Sequence, residues 1–453
     1  ITAFIRAAQG FLWDHLLIVL LCGTGLFFTI TLKGVQFRRF GAGLRQMFSG
    51  FSLRGKKAGK HGMSSFQAVT TAIAGQVGTG NLAGAATAIV LGGPGAILWM
   101  WVAALLGMAT VYAEALLAQK FKTVDADGQT VGGPAYYMER GVGRRLGKWM
   151  ARVFAVLIIL ALAFAGNMVQ SNSISSAFAT SFGLPSWVIG LIVALLTAVI
   201  LLGGIGRIAS FTEKVVPVMA VLYLAGSIVV LGMNYTRILP ALGSIFTCAF
   251  HPAAAFGGVG GYTVMKSVKY GVARGLFSNE AGMGSTPHAH AVATVSCPEK
   301  QGHVAIVSVF FDTFVVLTIT ALVMITSGAL NVTDMSANPA AENMAQVAFS
   351  TVFRGFGDIF VAICLLFFAF STIIGWYFFG RQNVKYLFGT KAVKVYSMIA
   401  VVCVALGSIL DAPLVWNLSD LFNALMVFPN LIALLALSGL VAKVSREDHE
   451  LHR

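Results

Sequence analysis

The chain has 453 residues, of which 57% are hydrophobic and only 11% charged, with a mean hydropathy of +0.82. A soluble domain carries roughly 25% charged residues, so the composition describes a polytopic membrane protein with room for about eleven spans of ~20 residues and no soluble appendage. The formal charge of +14 would suit a nucleic-acid binder, but its placement along the chain has a topological cause that makes nucleic acid unnecessary.

The first apolar segment, Leu12 to Leu32, is too long for a signal h-region, lacks a basic flank and reads as a true span. A broken helix is predicted at 64–91, then helices at 95–121, 149–181, 186–203 and 208–233. A second broken helix covers 253–273, and the rest fall at 303–328, 355–380, 394–410 and 414–442. Amphipathic helices at 236–250 and 340–353 are expected along the outer surface. With the first loop inside, that loop holds Lys33, Arg38, Arg39, Arg45, Arg54, Lys56, Lys57 and Lys60 and no acid. Every other Lys and Arg except Arg6, Arg237 and Arg354 also falls inside, so the N-terminus is placed outside and the tail in the cytoplasm. The five cysteines, Cys22, Cys248, Cys297, Cys364 and Cys403, form no CxxC pair and read as free thiols.

The most informative stretch is Gly75-Gln76-Val77-Gly78-Thr79-Gly80-Asn81. Each glycine costs a helix about 1 kcal/mol relative to Ala, and in hydrocarbon the freed backbone groups have no water partner. Such a break is tolerated only where it lines a cavity or a site. The N–H groups of Thr79, Gly80 and Asn81 can then cradle a carboxylate at the start of the second half-helix. Glycine at 78 and 80 lets a ligand approach the backbone. Gln76, in the break, is a candidate for the substrate amine or for propping the unwound backbone. Carbonyls freed just before it, at Ala74 and Val77, suit a cation, and the consecutive hydroxyls of Ser371 and Thr372 are candidates to complete its shell.

Setting the first helix aside, the other ten divide into two fives, at about 64–233 and 253–442. Each begins with a glycine-interrupted helix, the second break being Gly257-Gly258-Val259-Gly260-Gly261. Five is odd, so the halves have opposite topology, the pattern of an inverted-repeat transporter. The units are 1–63, an extra helix and basic loop; 64–234, the first repeat; 235–252, an extracellular surface helix; 253–442, the second repeat; and 443–453, a cytoplasmic tail.

Several motifs carry a resemblance. Gly75 to Asn81 with Leu82-Ala83-Gly84, Gly92-Gly93-Pro94-Gly95-Ala96 with Trp99-Met100-Trp101, and Gly132-Gly133-Pro134-Ala135-Tyr136-Tyr137-Met138 recur in order. So do Gly275 to Ser285 (Gly-Leu-Phe-Ser-Asn-Glu-Ala-Gly-Met-Gly-Ser), Phe370-Ser371-Thr372-Ile373-Ile374-Gly375-Trp376-Tyr377 and Met426 to Asn430. Over roughly 12–442 the chain resembles the alanine or glycine:cation symporter family, the sodium:alanine symporters. The resemblance implies a leucine-transporter-type five-plus-five inverted repeat plus one extra N-terminal helix, in the inner membrane of a bacterium or archaeon. It implies uptake of alanine or glycine, with sodium as the co-transported ion, no organic cofactor and no obligate protein partner. It supports Thr79 and Gly80 as carboxylate ligands, and it places Ser371 and Thr372 in the fold's shared sodium site, with a carbonyl near Phe368 joining Ala74 and Val77. In this fold the third helix of the ten lines the cavity, which favours Gln170 over Asn167 and Asn172 as a pocket residue. Phe256, with Trp376, Phe370 and Met426, is expected to wall the pocket.

The membrane acids are Glu114, Asp312 and Asp420, each a functional candidate because a mid-bilayer charge is costly. Glu114 is expected to reach the interface, Asp312 to cap or to pair with a loop arginine, and Asp420 to join Asn417, Ser419 and Asn423 in a polar face. Glu280 is placed on the cytoplasmic side, organising a loop with Arg274. His288 and His290, two apart, make a poor metal pair. The chain lacks the continuous polar stripe or charged ring of a channel, and it contains no HExxH or GxSxG. Within carriers, proton coupling or another small amino acid is the alternative reading.

Overall fold

The computed structural model describes residues 10–49, 62–143, 145–251, 264–330, 340, 341 and 343–451. Seven helices among them are long and apolar enough to cross a membrane, and shorter apolar helices occur at Ile18–Thr31, Gly80–Gly92, Ser186–Leu201 and Met344–Phe353. In chain order the helices are α1 (Ile18–Thr31), α2 (Phe40–Ser49), α3 (Ser65–Gln76), α4 (Gly80–Gly92), α5 (Ala96–Lys120), α6 (Pro134–Gly141), α7 (Leu146–Phe182), α8 (Ser186–Leu201) and α9 (Gly204–Met233). Then come α10 (Ile238–Phe250), α11 (Val264–Asn279), α12 (Pro298–Thr326), α13 (Met344–Phe353), α14 (Gly355–Phe388), α15 (Val393–Gly407), α16 (Ala412–Ala436) and α17 (Ser438–Leu451). A two-stranded hairpin, β1 (Thr123–Val124) with β2 (Thr130–Val131), follows α5.

Helix α3 starts where sequence chemistry dictates. The Ser64 hydroxyl accepts from the Gln67 N–H at 3.1 Å, and the Gln67 side chain accepts from the Ser64 N–H at 3.1 Å, a complete capping box. It ends at Val77, whose backbone turns extended (φ −83°, ψ 91°). The predicted break at 75–81 is thus a real interruption between α3 and α4.

Burial separates inner from outer helices. The most apolar 18-residue stretch of α14 is 78% buried, against 28% for the helix carrying α15 and 33% for α9. Leu191, Leu195 and Val199 on α8, Val221 and Ile228 on α9, and Met398 and Val402 on α15 are exposed, as lipid-facing side chains must be. Helix α14 packs on α3 and α7, while α5 packs on α11 and α12. Of the π-type stretches among the described residues, Gly80–Gly84 opens α4, Ile159–Gly166 lies within α7 against α14, and Phe310–Leu317 lies within α12 against α4, α5 and α11. Such turns re-aim side chains and concentrate at functional sites.

Gly257 to Gly261 lie outside the described residues, and 264–279 is one unbroken helix. The chain leaves helical geometry at 280–286, where Glu280, Gly282 and Gly284 have φ of 57°, 83° and 81°. This stretch, expected to be a cytoplasmic loop, is buried throughout. The Gly282 and Gly284 N–H groups and the Gly282 carbonyl find partners on α5 and α16, which helps an irregular chain to be tolerated there. Helix α13 buries one face, Met344, Ala345, Ala348 and Phe349, where it packs on α14, and exposes Val347 and Thr351. The last predicted helix, 414–442, is divided near Leu437 into α16 and α17.

Candidate functional site

The break is built by an exchange of hydrogen bonds. In a continuing helix the Gly78 N–H would bond to the Ala74 carbonyl. Here it donates to Asn81 Oδ1 at 3.0 Å. That leaves Ala74 and Val77 carbonyls without helical donors, and the Thr372 hydroxyl of α14 reaches both, at 2.8 and 3.3 Å. The same hydroxyl lies 3.0 Å from the Phe368 carbonyl. Three carbonyl oxygens from two helices therefore converge on one hydroxyl in a fully buried place. This is an all-oxygen donor set of the kind a hard cation takes.

Gly78 makes the approach possible. A Cβ there would lie 2.5 Å from Thr372 Oγ1 and 3.2 Å from Gln170 Oε1. Gln170, from α7, accepts from the Thr79 N–H at 3.3 Å. Its oxygen thus stands on a backbone donor expected to serve a carboxylate. Gly80 is pressed against α11, where a Cβ would meet Ser278 Cα at 3.1 Å. Two buried polar atoms at the break, Gln76 Oε1 and Thr79 Oγ1, have no partner among the described residues. A small pocket lined by Leu82, Ser173, Gln346 and Leu365 lies beside the start of α4.

The second interruption sits against the first. Gln76 Nε2 donates to the Asn279 carbonyl at 2.9 Å. Trp376 donates its indole N–H to Glu280 Oε1, and the Ser285 hydroxyl donates to Glu280 Oε2 at 2.5 Å. The indole packs over Gly166 and Gly75. Glu114 of α5 accepts from the Gly282 and Gly284 N–H groups at 3.1 and 2.9 Å and from Asn430 Nδ2 at 2.6 Å. Asn430 also takes the Tyr137 hydroxyl and donates to the Gly282 carbonyl. Glu114 therefore does not reach an interface; it satisfies the donors of a strained buried segment.

Asp312 lies midway along α12, and neither caps it nor meets an arginine. Its Oδ1 accepts from Asn81 Nδ2 at 2.7 Å, the Ser278 hydroxyl lies 3.3 and 3.2 Å from its two oxygens, and the Thr313 hydroxyl donates at 3.0 Å. Arg274, expected beside Glu280, pairs instead with Asp420 at 3.2 Å and lies over the Trp416 and Phe277 rings. The polar face around Asp420 thus locks α11 to α16. His288 and His290 are buried and bonded to Ser285, Asn383 and Gln301. No group of metal-binding residues forms among the described residues.

Of the predicted cation ligands, Ala74, Val77, Phe368 and Thr372 come together. Ser371 touches the edge of the set, its hydroxyl donating to the Phe368 carbonyl at 2.9 Å and lying 3.4 Å from Met219 Sδ of α9, with no bond to the Ala74 or Val77 carbonyl. Gly78, Thr79, Gly80, Gln170 and Trp376 all border the break. Asn81 does too, but its side chain is divided between Gly78 and Asp312, and its N–H bonds the Gly78 carbonyl. Phe256 lies outside the described residues. Asn172 ties α7 to the Gly407 and Leu410 carbonyls and is a helix–helix fastener. Sequence reasoning missed Ser278, Asn279 and Glu280 as neighbours of the break. Their signal was present, a polar run with Gly282 and Gly284 like that at 75–81, but the charged residues around it suggested a loop.

Away from this centre, Lys385 Nζ bonds Asp125 Oδ2 at 2.5 Å and Gln129 Oε1 at 2.8 Å, fastening the hairpin to the end of α14. Burial pushes the Asp125 carboxyl up, but the Lys385 ammonium and the Gln129 and Asp127 N–H groups outweigh it and hold the pKa below its ordinary value.

A model of the sodium:alanine symporter family matches residues 1–451. The sodium/alanine symporter AgcS of Methanococcus maripaludis is 41% identical over 100% of this chain and 98% of its own length. A probable sodium/glutamine symporter, GlnT of Bacillus subtilis, is also 41% identical, over 96% of this chain and 88% of its own. Among solved structures, a manganese transporter of Eremococcus coleocola is similar in fold, with a TM-score of 0.53 at 16% identity, covering 84% of this chain and 80% of that one.

Proposed function

Because the chain belongs to the sodium:alanine symporter family, we propose that it carries alanine or glycine into the cell together with sodium, by alternating access. The observation that carries this reading is the convergence of the Ala74, Val77 and Phe368 carbonyls on the Thr372 hydroxyl, beside backbone N–H groups released by the same break. Sodium binds among those oxygens. The substrate carboxylate displaces Gln170 Oε1 from the Thr79 N–H and lies on Thr79 and Gly80, at the positive end of α4. The unpartnered Gln76 and Thr79 oxygens accept from the ammonium group. Trp376 and Gln170 bound the space, with Phe256 as a further wall, and small size follows from the closeness of α3, α7, α11 and α14 around it.

The architecture fits an inverted repeat of α3–α9 and α11–α16 with an extra α1, about eleven spans in all. Lys and Arg placement puts the N-terminus outside and α17 in the cytoplasm. One positive charge entering down ~100 mV supplies about 2.3 kcal/mol, enough for roughly 50-fold accumulation of a neutral zwitterion before the sodium gradient adds its share. The test is uptake of labelled L-alanine, D-alanine, glycine and glutamine by proteoliposomes under sodium, potassium or pH gradients. Sodium-driven alanine or glycine uptake is expected. Preference for glutamine, or uptake driven by protons alone, would overturn the reading.

A further inference from the structure

We propose that Arg381, near the cytoplasmic end of α14, holds the phosphodiester of an anionic lipid headgroup. The residue is only 9% exposed, and its Nη1 is buried with no hydrogen-bond partner among the described residues. None of the ion pairs among those residues includes it. The acids whose field reaches it are Asp125 and Asp127 of the hairpin. Asp125 is taken by Lys385 at 2.5 Å, and Asp127 is exposed. A guanidinium cannot shed its proton to escape burial. A buried charge with neither a counter-charge nor acceptors is strongly disfavoured, so the position calls for an anion from outside the chain.

The place fits a headgroup. At 1.5 Å per residue α14 is about 51 Å long, well beyond a hydrocarbon core of ~30 Å, and Arg381 lies roughly 10 Å from its end. Lysine and arginine placement puts that end inside. Tyr377, one turn earlier, stacks on Tyr396 of α15 with ring centroids 5.0 Å apart, and the Tyr396 hydroxyl donates to the Tyr377 carbonyl at 2.8 Å. The turn that carries Arg381 is thereby joined to the start of α15.

From there α15 exposes Val395, Met398, Ile399 and Val402, an apolar track for acyl chains. Lys391 and Lys394 are exposed where that track meets the cytoplasmic surface. A phosphate group is the anion that a guanidinium fork grips with two parallel bonds. Acyl chains add burial along α15 that a free phosphate lacks. The surrounding cations favour a headgroup of net negative charge over a zwitterionic one.

The test uses the purified full-length protein in neutral detergent, without amino acid or sodium gradient. Retained lipid is counted by native mass spectrometry during titration with phosphatidylglycerol or phosphatidylcholine, and melting is followed with each lipid and with inorganic phosphate. Wild type should retain phosphatidylglycerol more tightly than phosphatidylcholine, and should melt higher with it. Arg381→Gln should weaken phosphatidylglycerol retention by about 10-fold or more, the effect of losing a charge-assisted pair. Arg145→Gln, the same loss of charge at an exposed position, should change it little. Without lipid, Arg381→Gln should melt no lower than wild type, because it removes a buried charge that the protein does not pair. Arg381→Lys, which keeps the cation and gives up the fork, should also weaken retention, and it carries the test if the Gln variant does not fold. Unchanged retention in the Arg381 variants, or an equal loss in Arg145→Gln, overturns the proposal. So does an Arg381→Gln protein that melts lower than wild type without lipid, which would show a partner within the chain. Inorganic phosphate that raises the melting temperature as much as phosphatidylglycerol would assign the site to a free anion and overturn the lipid.

Discussion

Gly78→Ala is the sharpest probe of the break. The position has ordinary negative φ, so a methyl group adds no backbone strain, and the effect is steric alone. The new Cβ would lie 2.5 Å from Thr372 Oγ1, 3.2 Å from Thr372 Cβ and 3.2 Å from Gln170 Oε1. Ordinary contacts begin near 3.4 Å, so either Thr372 or the unwound backbone has to move by up to about 1 Å. Forcing a methyl into a packed site costs typically ~1–3 kcal/mol. If that cost falls on the sodium-bound arrangement, it corresponds to a rise in the sodium concentration for half-maximal uptake of about 5- to 150-fold. The matched control is Gly84→Ala, six residues on, where a Cβ meets nothing within 4 Å. The assay is sodium-dependent alanine uptake in proteoliposomes, with chromatographic and thermal profiles confirming that both variants are folded. Equal sodium dependence in the two variants would refute the placement of Thr372 over the break.

Other outcomes follow from the same geometry. Thr372→Ala should raise the sodium requirement far more than Ser371→Ala, because the Ser371 hydroxyl is directed to Phe368 and Met219; equal effects in a sodium titration would count against it. Trp376→Phe keeps the packing over Gly166 but removes the N–H donated to Glu280, leaving a buried carboxylate one donor short. A loss of roughly 1–3 kcal/mol in thermal or denaturant stability is expected, and Glu280→Gln in the same background should restore part of it. The Asp125–Lys385 pair should stabilise the protein at neutral pH and fade in acid. The folded-state pKa of Asp125 is lowered, so its contribution is fully present above the unfolded value and is lost as pH falls through the folded-state value. Asp125→Asn should therefore lower the melting temperature at pH ~7, by a margin that narrows as the solution is made more acid; a difference that stays constant through the acid range would contradict the assignment.

The sequence by itself determined the class of the protein and the first break. An apolar run long enough to span a membrane cannot keep Gly75, Gly78 and Gly80 in it without a use, because lipid offers unpaired backbone no partner. That reasoning reached the Ala74 and Val77 carbonyls, and the family motifs reached Thr372. The interruption at 280–286 went unread for a physical reason. Glu280, with Arg274 nearby, looks like a solvated loop in a single sequence, since a charge is ordinarily kept in water. Only the packed structure supplies Trp376 and Ser285 to Glu280, and Glu114 to the Gly282 and Gly284 N–H groups, which makes burial tolerable. The same holds for Asp312, whose meeting with Asn81 spans 231 residues of chain. Helical periodicity fixes which residues share a face of one helix. It does not say which helix that face will meet, and a site assembled from α4, α11, α12 and α14 is decided by those meetings.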